Sequence, residues 1–346
     1  NQYIANFITD ITANNISFDR IYLTQDEDKI PDEPGFFAKL WEAIKRFFSS
    51  FTDQSYSVDN VEETHLQVWV NRSRQYLEII QRMIDSDFTE KTGIQVDLSI
   101  MPDPNKLVLA NAAGEAPDVA MAVNYALPYE LAIRNALVDM TKFPDYQEVL
   151  SRFPAGMLVP STVDGGIYSM PETFYFWVLY YRTDILEKLG LEVPQTMEEV
   201  EAMLPDLKNR GLDFFYPTAG TTGQRTLAMT TPLIFQNGGT LYNNDGIATT
   251  SINDEKAMEA LTELTDLFTI YNIPTEITNF YQHFRNGDIP IGVGDYFVYN
   301  MLINAAPEIE NSWEIALVPG IKDASGQIHR ETAGGAESGI IFKAED

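Results

Sequence analysis

From Leu66 onward the chain alternates short apolar runs with segments of helical periodicity, a pattern that few architectures accommodate. "LQVWV" reads as a strand; "RQYLEIIQRMIDSDF" then spaces Leu77, Ile80, Met83, Ile84 and Phe88 as the inward stripe of a helix. "TGIQVDLSI" is a second strand, "NKLVLANAAG" a helix ended by glycine, and "PDVAMAV" a third strand. Strand–helix–strand alternation is the signature of an α/β lobe. Two short strands, "MLVPSTV" and "GIYSMP", meet across Asp164-Gly165-Gly166, a hairpin signal. A helix follows Thr183, another starts at a Thr N-cap in "PQTMEEVEAMLPDL", and "AMEALTELTDLFTIY" is a third.

The chain has 346 residues, beyond the usual limit of one hydrophobic core, so two or more lobes are expected. Its net charge of −28, from 51 acids against 23 bases, repels nucleic acid and anionic lipid. With no cysteine, disulfides, thiolate catalysis and thiolate metal sites are excluded. His65, His283 and His329 lie far apart without HExxH spacing, so a zinc hydrolase is not expected. No apolar run reaches the roughly 20 residues that span a bilayer. "NQYIANFITD" lacks a signal-peptide pattern, so any export signal is expected upstream of Asn1.

Residues 1–60 read as an N-terminal extension. Its "GFFAKLWEAIKRFFSSF", residues 35–51, is the cleanest amphipathic helix: Phe37, Leu40, Trp41, Ile44, Phe47, Phe48 and Phe51 oppose Lys39, Glu42, Lys45 and Arg46. It suits docking on the neighbouring lobe, a membrane surface or a partner. "TDQSYSVDNVEET" is a polar linker. Motifs for chemistry are missing. "GTTGQRT" at Gly220 has the wrong spacing for a phosphate loop and Arg225 in place of lysine. In "GAESG" Ser338 stands one place late for a nucleophile elbow. "DEDKIPDE" lacks the EF-hand glycine and has Ile30 at a ligand position. No cofactor or metal is called for.

The stretch "VDGGIYSMPETFYFWVLYYRTDILEKLGLEVPQTMEEV" sits among "DFTEKTGIQVDL", "GEAPDVAM", "FQNGGTLYN", "FRNGDIPIGVGDY" and "WEIALVPG" in one fixed order. As an ordered set these resemble the bacterial extracellular solute-binding proteins, family 1, the maltose-binding-protein-like receptors of ABC importers. The resemblance runs from about Leu66 to Lys343. It is closest to a subgroup of large surface proteins whose upstream region ends in a "GFFxxLWxxIKxFFxSF" helix. It implies an α/β, two-lobed periplasmic-binding-protein fold of the class II type, with a helical N-terminal extension. The implied domains are 66–174 plus 335–346 for the first lobe and 175–334 for the second. The chain would cross between lobes near Thr173–Trp177 and Thr332–Ser338, hinges whose closure around solute a permease reads. Relatives continue past "IIFKA" with further helices, so a C-terminally truncated second lobe is expected here.

The resemblance also implies a ligand site in the inter-lobe cleft. The strand after the DGG hairpin would pass through it, with Thr173, Tyr175 and Trp177 on one face. Sugars present apolar C–H faces and hydroxyl rims, so aromatic platforms with a few polar groups suit them. The alternative makes Phe174, Phe176 and Val178 core, with Tyr175 and Trp177 covering it. Glu172 would accept from hydroxyls or pair with an amine. By matched position the other candidates are Trp69, Arg72, Arg74, Asn124, Tyr125, Thr218, Thr222, Asp295, Tyr296 and Glu337. The expected function is non-catalytic: an extracellular, monomeric receptor at the bacterial surface that binds a small solute, foremost an oligosaccharide, and delivers it to an ABC transporter permease. A short peptide, which Glu172 and the acidity would suit if cationic, is the other ligand class. An adhesion or scaffolding module and a carboxylate glycoside hydrolase are the rival classes.

Overall fold

In the first three strands most side chains, twelve of sixteen, are apolar, the composition of strands covered on both faces. The computed structural model describes residues 65–343 apart from 102–104, 218–229, 245–246, 248, 276, 278 and 333. The expected extension 1–60, its helix 35–51 and the "GTTGQRT" segment lie outside the described residues. The described residues divide into two units, 65–173 with those from 336, and Phe174–Gly335.

In the first unit, β1 (Leu66–Val70), β2 (Val96–Ile100) and β3 (Val119–Asn124) run parallel in the order β2-β1-β3. Beyond β3 the sheet is continued by β12 (Gly334–Ile341), antiparallel to it. Helices α1 (Arg74–Met83), α2 (Asn105–Ala113) and α3 (Leu127–Ile133) follow β1, β2 and β3. Val68 and Val70 pack with Leu77 of α1, while Trp69 packs on the opposite side with Leu107 of α2 and Leu131 of α3. The expected inward stripe holds only in part. Leu77 is buried, whereas Met83 and Phe88 are exposed. Met83 lies about 240° round the helix from Leu77, and a π-helical stretch, Ile84–Thr89, breaks the period beyond it. After the short helices α4 (Tyr146–Leu150) and α5 (Ala155–Leu158), β4 (Thr162–Val163) and β5 (Gly166–Ile167) form the expected hairpin. Asp164 and Gly165 both take positive φ there, 48° and 82°, as a two-residue hairpin turn requires.

The 13-residue β6 (Met170–Arg182) runs from the first unit into the second, and β12 runs back. In the second unit β6 lies between β8 (Ile291–Asp295) and β9 (Trp313–Ala316), both antiparallel to it. β7 (Phe214–Phe215) pairs parallel with β8, and β10 (Ile321–Lys322) with β11 (Ile328–His329) makes a separate ribbon. Leu179 packs with α7 (Met197–Lys208) and α9 (Glu255–Thr269), which follow α6 (Thr183–Leu189) and α8 (Thr231–Gln236) respectively. On the other side of β6, Tyr180 packs with Phe280 and Phe284 of α10 (Phe280–Asn286) and with Leu302 of α11 (Tyr296–Ala305). Thr196 caps α7 as expected, its hydroxyl accepting from Glu199 N at 3.2 Å. Among the described residues no helix is long and apolar enough to cross a membrane.

Helices α7 and α9 flank a groove of about 530 Å³ lined by Glu198, Glu201, Glu255, Glu259, Glu263 and Asp266. Burial, with the Glu201 charge adding to it, raises the Glu263 carboxyl from 4.5 to about 7. An acid with a raised folded-state pKa contributes stability that is fully present below its unfolded value and lost as pH rises through its folded value. Melting temperature should therefore fall between pH 4.5 and about 7 in step with Glu263 ionisation. Glu263→Gln should raise the melting temperature at pH 8 and flatten that decline, as read by calorimetry across pH 4–8.

Candidate functional site

A parallel strand covered on both faces offers chemistry only its ends. In the order β2-β1-β3 the chain leaves β1 toward one side and returns with β3 on the other. That makes the carboxyl ends of β1 and β3 a topological switch point, where α/β sheets open a crevice. Antiparallel β12 brings its amino-terminal end to the same edge, setting Glu337 opposite Asn124.

Polar side chains converge there. Arg72, two residues beyond β1, donates from Nη1 to the Asn71 carbonyl at 3.1 Å and from Nη2 to Glu337 Oε2. The Thr173 hydroxyl donates to that same oxygen at 2.8 Å. Glu172 accepts the Ala122 amide on both oxygens, at 3.1 and 3.2 Å. Its carboxyl is held above the usual range chiefly by desolvation, which the Ala122 N–H and the Arg72 charge oppose and the Glu337 charge reinforces. Asn124 Oδ1 accepts from the amides of Ala126 at 3.0 Å and Leu127 at 3.2 Å, so it holds the turn into α3. Tyr125 beside it is 46% exposed. Arg74 opens α1 and pairs with Glu78 at 3.8 Å, one turn along its own helix. Trp69 is 7% exposed in the core, and its Nε1 has no hydrogen-bond partner among the described residues. The fully covered β1 leaves it no open face.

The second unit carries a different chemistry at the start of α11. Asp295 ends β8 and caps α11, its Oδ1 accepting from Phe297 N at 3.0 Å. Desolvation raises its carboxyl, opposed by the amides of Val298 and Phe297. The buried Tyr180 donates to the Asp295 carbonyl at 2.8 Å and accepts from Tyr299 N at 3.0 Å, tying the strand end to the helix. Above this brace the rings of Phe174, Phe176, Tyr296 and Tyr299 form a stacked row, with centroid separations of 5.8, 4.9 and 5.0 Å. Phe174 is 47% exposed. Tyr175 is exposed too, its ring lying over Gly335, where an added Cβ would approach it to 2.2 Å. Trp177 packs, partly buried, against the core around Leu179. The row thus takes Phe174 and Phe176 from one side of β6, whereas the sequence reading favoured Tyr175 and Trp177 on the other.

Within the first unit the edge collects Arg72, Asn124, Tyr125, Glu172 and Glu337, and leaves Trp69 in the core. Within the second, Tyr296 joins the row, Asp295 caps its helix, and Trp177 faces the core. Thr218 and Thr222 lie outside the described residues. Asn71 and Tyr299 were not among the candidates, while Thr173 had been placed with Tyr175 and Trp177 on the cleft face of the strand. Asn71 follows directly from Arg72, and Tyr299 from its i+3 spacing to Tyr296 on one helix face. Among the described residues no group of three or more acidic or histidine side chains is placed to hold a metal ion.

Residues 84–343 match the family described as bacterial extracellular solute-binding protein. The alpha-glucosides-binding periplasmic protein AglE of Rhizobium meliloti is 28% identical over 149 residues, 39% of this chain and 31% of that protein's own length. The chain thus aligns with about a third of that relative. The fold is similar to maltose-bound MalE3 of T. maritima, at 25% identity and TM-score 0.64 over 82% of this chain and 73% of that one. It is also similar to the GacH receptor of Streptomyces glaucescens, solved unliganded and with acarbose, at 17% identity and TM-score 0.64 over 82% and 72%.

Two outcomes follow. Trp69→Ala should cost about 3–5 kcal/mol of stability, as expected for an aromatic in a packed core, measured by denaturant unfolding. Tyr180→Phe removes one donor and one acceptor, and should cost about 1–3 kcal/mol by the same measurement.

Proposed function

We propose that this chain, which belongs to the bacterial extracellular solute-binding proteins, is a non-catalytic receptor that binds a small sugar or oligosaccharide outside the cytoplasm. It hands that solute to the permease of an ABC importer. The observation that carries this reading is the convergence of Arg72, Glu337, Thr173, Asn124 and Tyr125 at the β1/β3 switch point. Paired charges with spare donor and acceptor sites, next to an exposed phenol ring, suit vicinal hydroxyls.

A sugar is favoured over other solutes by the stacked row Phe174, Phe176, Tyr296 and Tyr299, since C–H faces lie well on aromatic rings. The binding proteins it resembles include an alpha-glucoside binder, a maltose-bound receptor and an acarbose-bound one. Asp295 and Tyr175 are proposed to supply further contacts around the row, and Thr218 and Thr222 remain proposed contacts. Trp177 and Trp69 act beneath the contact residues, as support. A cationic short peptide is the second reading, favoured by the net charge of −28.

The test is calorimetric titration with maltose, maltotriose and a lysine-rich pentapeptide. Maltotriose should bind, and Arg72→Ala and Tyr296→Ala should each weaken it by roughly tenfold or more, the effect of losing one charged hydrogen bond or one ring contact. Binding of the pentapeptide alone would transfer the assignment to peptides. Silence from all three probes would overturn the sugar reading.

A further inference from the structure

Two uncommon backbone features coincide in β3 beside the proposed binding edge. Ala122, inside β3, has φ 58°, a left-handed conformation that costs a residue with a Cβ. The pairing of β12 with β3 shifts register at the same place: Met121 and Ala122 oppose the single Gly339 between Ser338 and Ile340, so Ala122 lies in a bulge of β3. Into the gap reaches the Glu172 carboxylate from β6, which binds the Ala122 amide with both oxygens. An added Cβ at Gly339 would stand 3.1 Å from Glu172 Oε1, so the carboxylate fits because position 339 has no side chain. Two residues beyond Ala122 comes Asn124, which lies opposite Glu337 and holds the turn on which Tyr125 stands.

We infer that Glu172 is a positioning residue: by holding Ala122 left-handed across Gly339 it sets the bend in β3 that aims Asn124 and Tyr125 at solute, and it does not contact solute itself. The inference rests on the solute-receptor reading for its consequence, but not for its geometry. Both oxygens share the one Ala122 N–H, which fixes the carboxylate's orientation against β3. The charges facing it are Arg72 from the end of β1 and Glu337 from β12. Arg72 is in turn committed to Glu337, so Glu172 is left with the strand as its main partner.

The test is amide hydrogen exchange at Val123–Tyr125 in the full chain, with maltotriose titration alongside. Glu172→Ala should speed exchange there by roughly tenfold or more, the effect of deleting a hydrogen bond to a charged acceptor. Glu172→Gln keeps an acceptor and should stay near wild type, while Gly339→Ala crowds the carboxylate and should speed exchange in the same direction, by less than Glu172→Ala. Ala122→Gly makes the left-handed conformation intrinsically accessible, so adding it to Glu172→Ala should restore protection and maltotriose affinity together. Loss of maltotriose affinity with unchanged exchange in Glu172→Ala would overturn the inference and make Glu172 a direct contact. Accelerated exchange that Ala122→Gly fails to restore would reduce Glu172 to general support. A wild-type chain that ignores maltotriose would count against the sugar reading alone, and the exchange pattern would still decide the role of Glu172.

Discussion

Coverage of β1 on both faces is the constraint from which the first unit's arrangement follows. Val68 and Val70 are spent on α1, and Trp69 on the opposite core. The buried stretch Val68–Val70 of β1 therefore carries no polar side chain, and polar groups gather where the strand ends. The order β2-β1-β3 then decides which ends stand open, and antiparallel β12 delivers a carboxylate to them. Residues as distant in sequence as Arg72 and Glu337 become partners because two strands finish at one edge.

The second unit solves a related problem with aromatics. Tyr180 is apolar enough to sit among Phe280 and Phe284, yet its hydroxyl spans the end of β8 and the first turn of α11. That brace holds Tyr296 and Tyr299 where their rings can continue the stack begun by Phe174 and Phe176. Core packing and a candidate platform thus share one face of β6, with Phe174 and Phe176 in the row and Val178 and Tyr180 further along in the core. The two units differ in chemistry: charged and polar groups gather on the first, ring faces on the second.

Features set by local physics were legible in the sequence. The Asp164-Gly165 turn, the Thr196 cap and the strand–helix alternation depend on a few neighbouring residues, and the structure has them. The ordered motifs likewise carry the resemblance to the family that residues 84–343 match. Long-range pairing hid the rest. Nothing near Trp69 tells that both faces of its strand are covered, and nothing near Ala122 announces a bulge whose other half lies at Gly339. The ring row escaped because alternation separates the two faces of β6 without saying which one meets α11. Phe88 was misplaced because a π-helical stretch cannot be read from a 3.6-residue period, and Met83 because it lies about 240° round α1 from Leu77.

The central claim, that this chain is built to carry a small sugar, is tested most directly by native against denaturing mass spectrometry on gently purified protein. The account predicts a bound mass that leaves on denaturation and fits a whole number of hexose units. Protein of identical mass under both conditions, which also shows no rise in melting temperature across a panel of mono- and oligosaccharides, would contradict it.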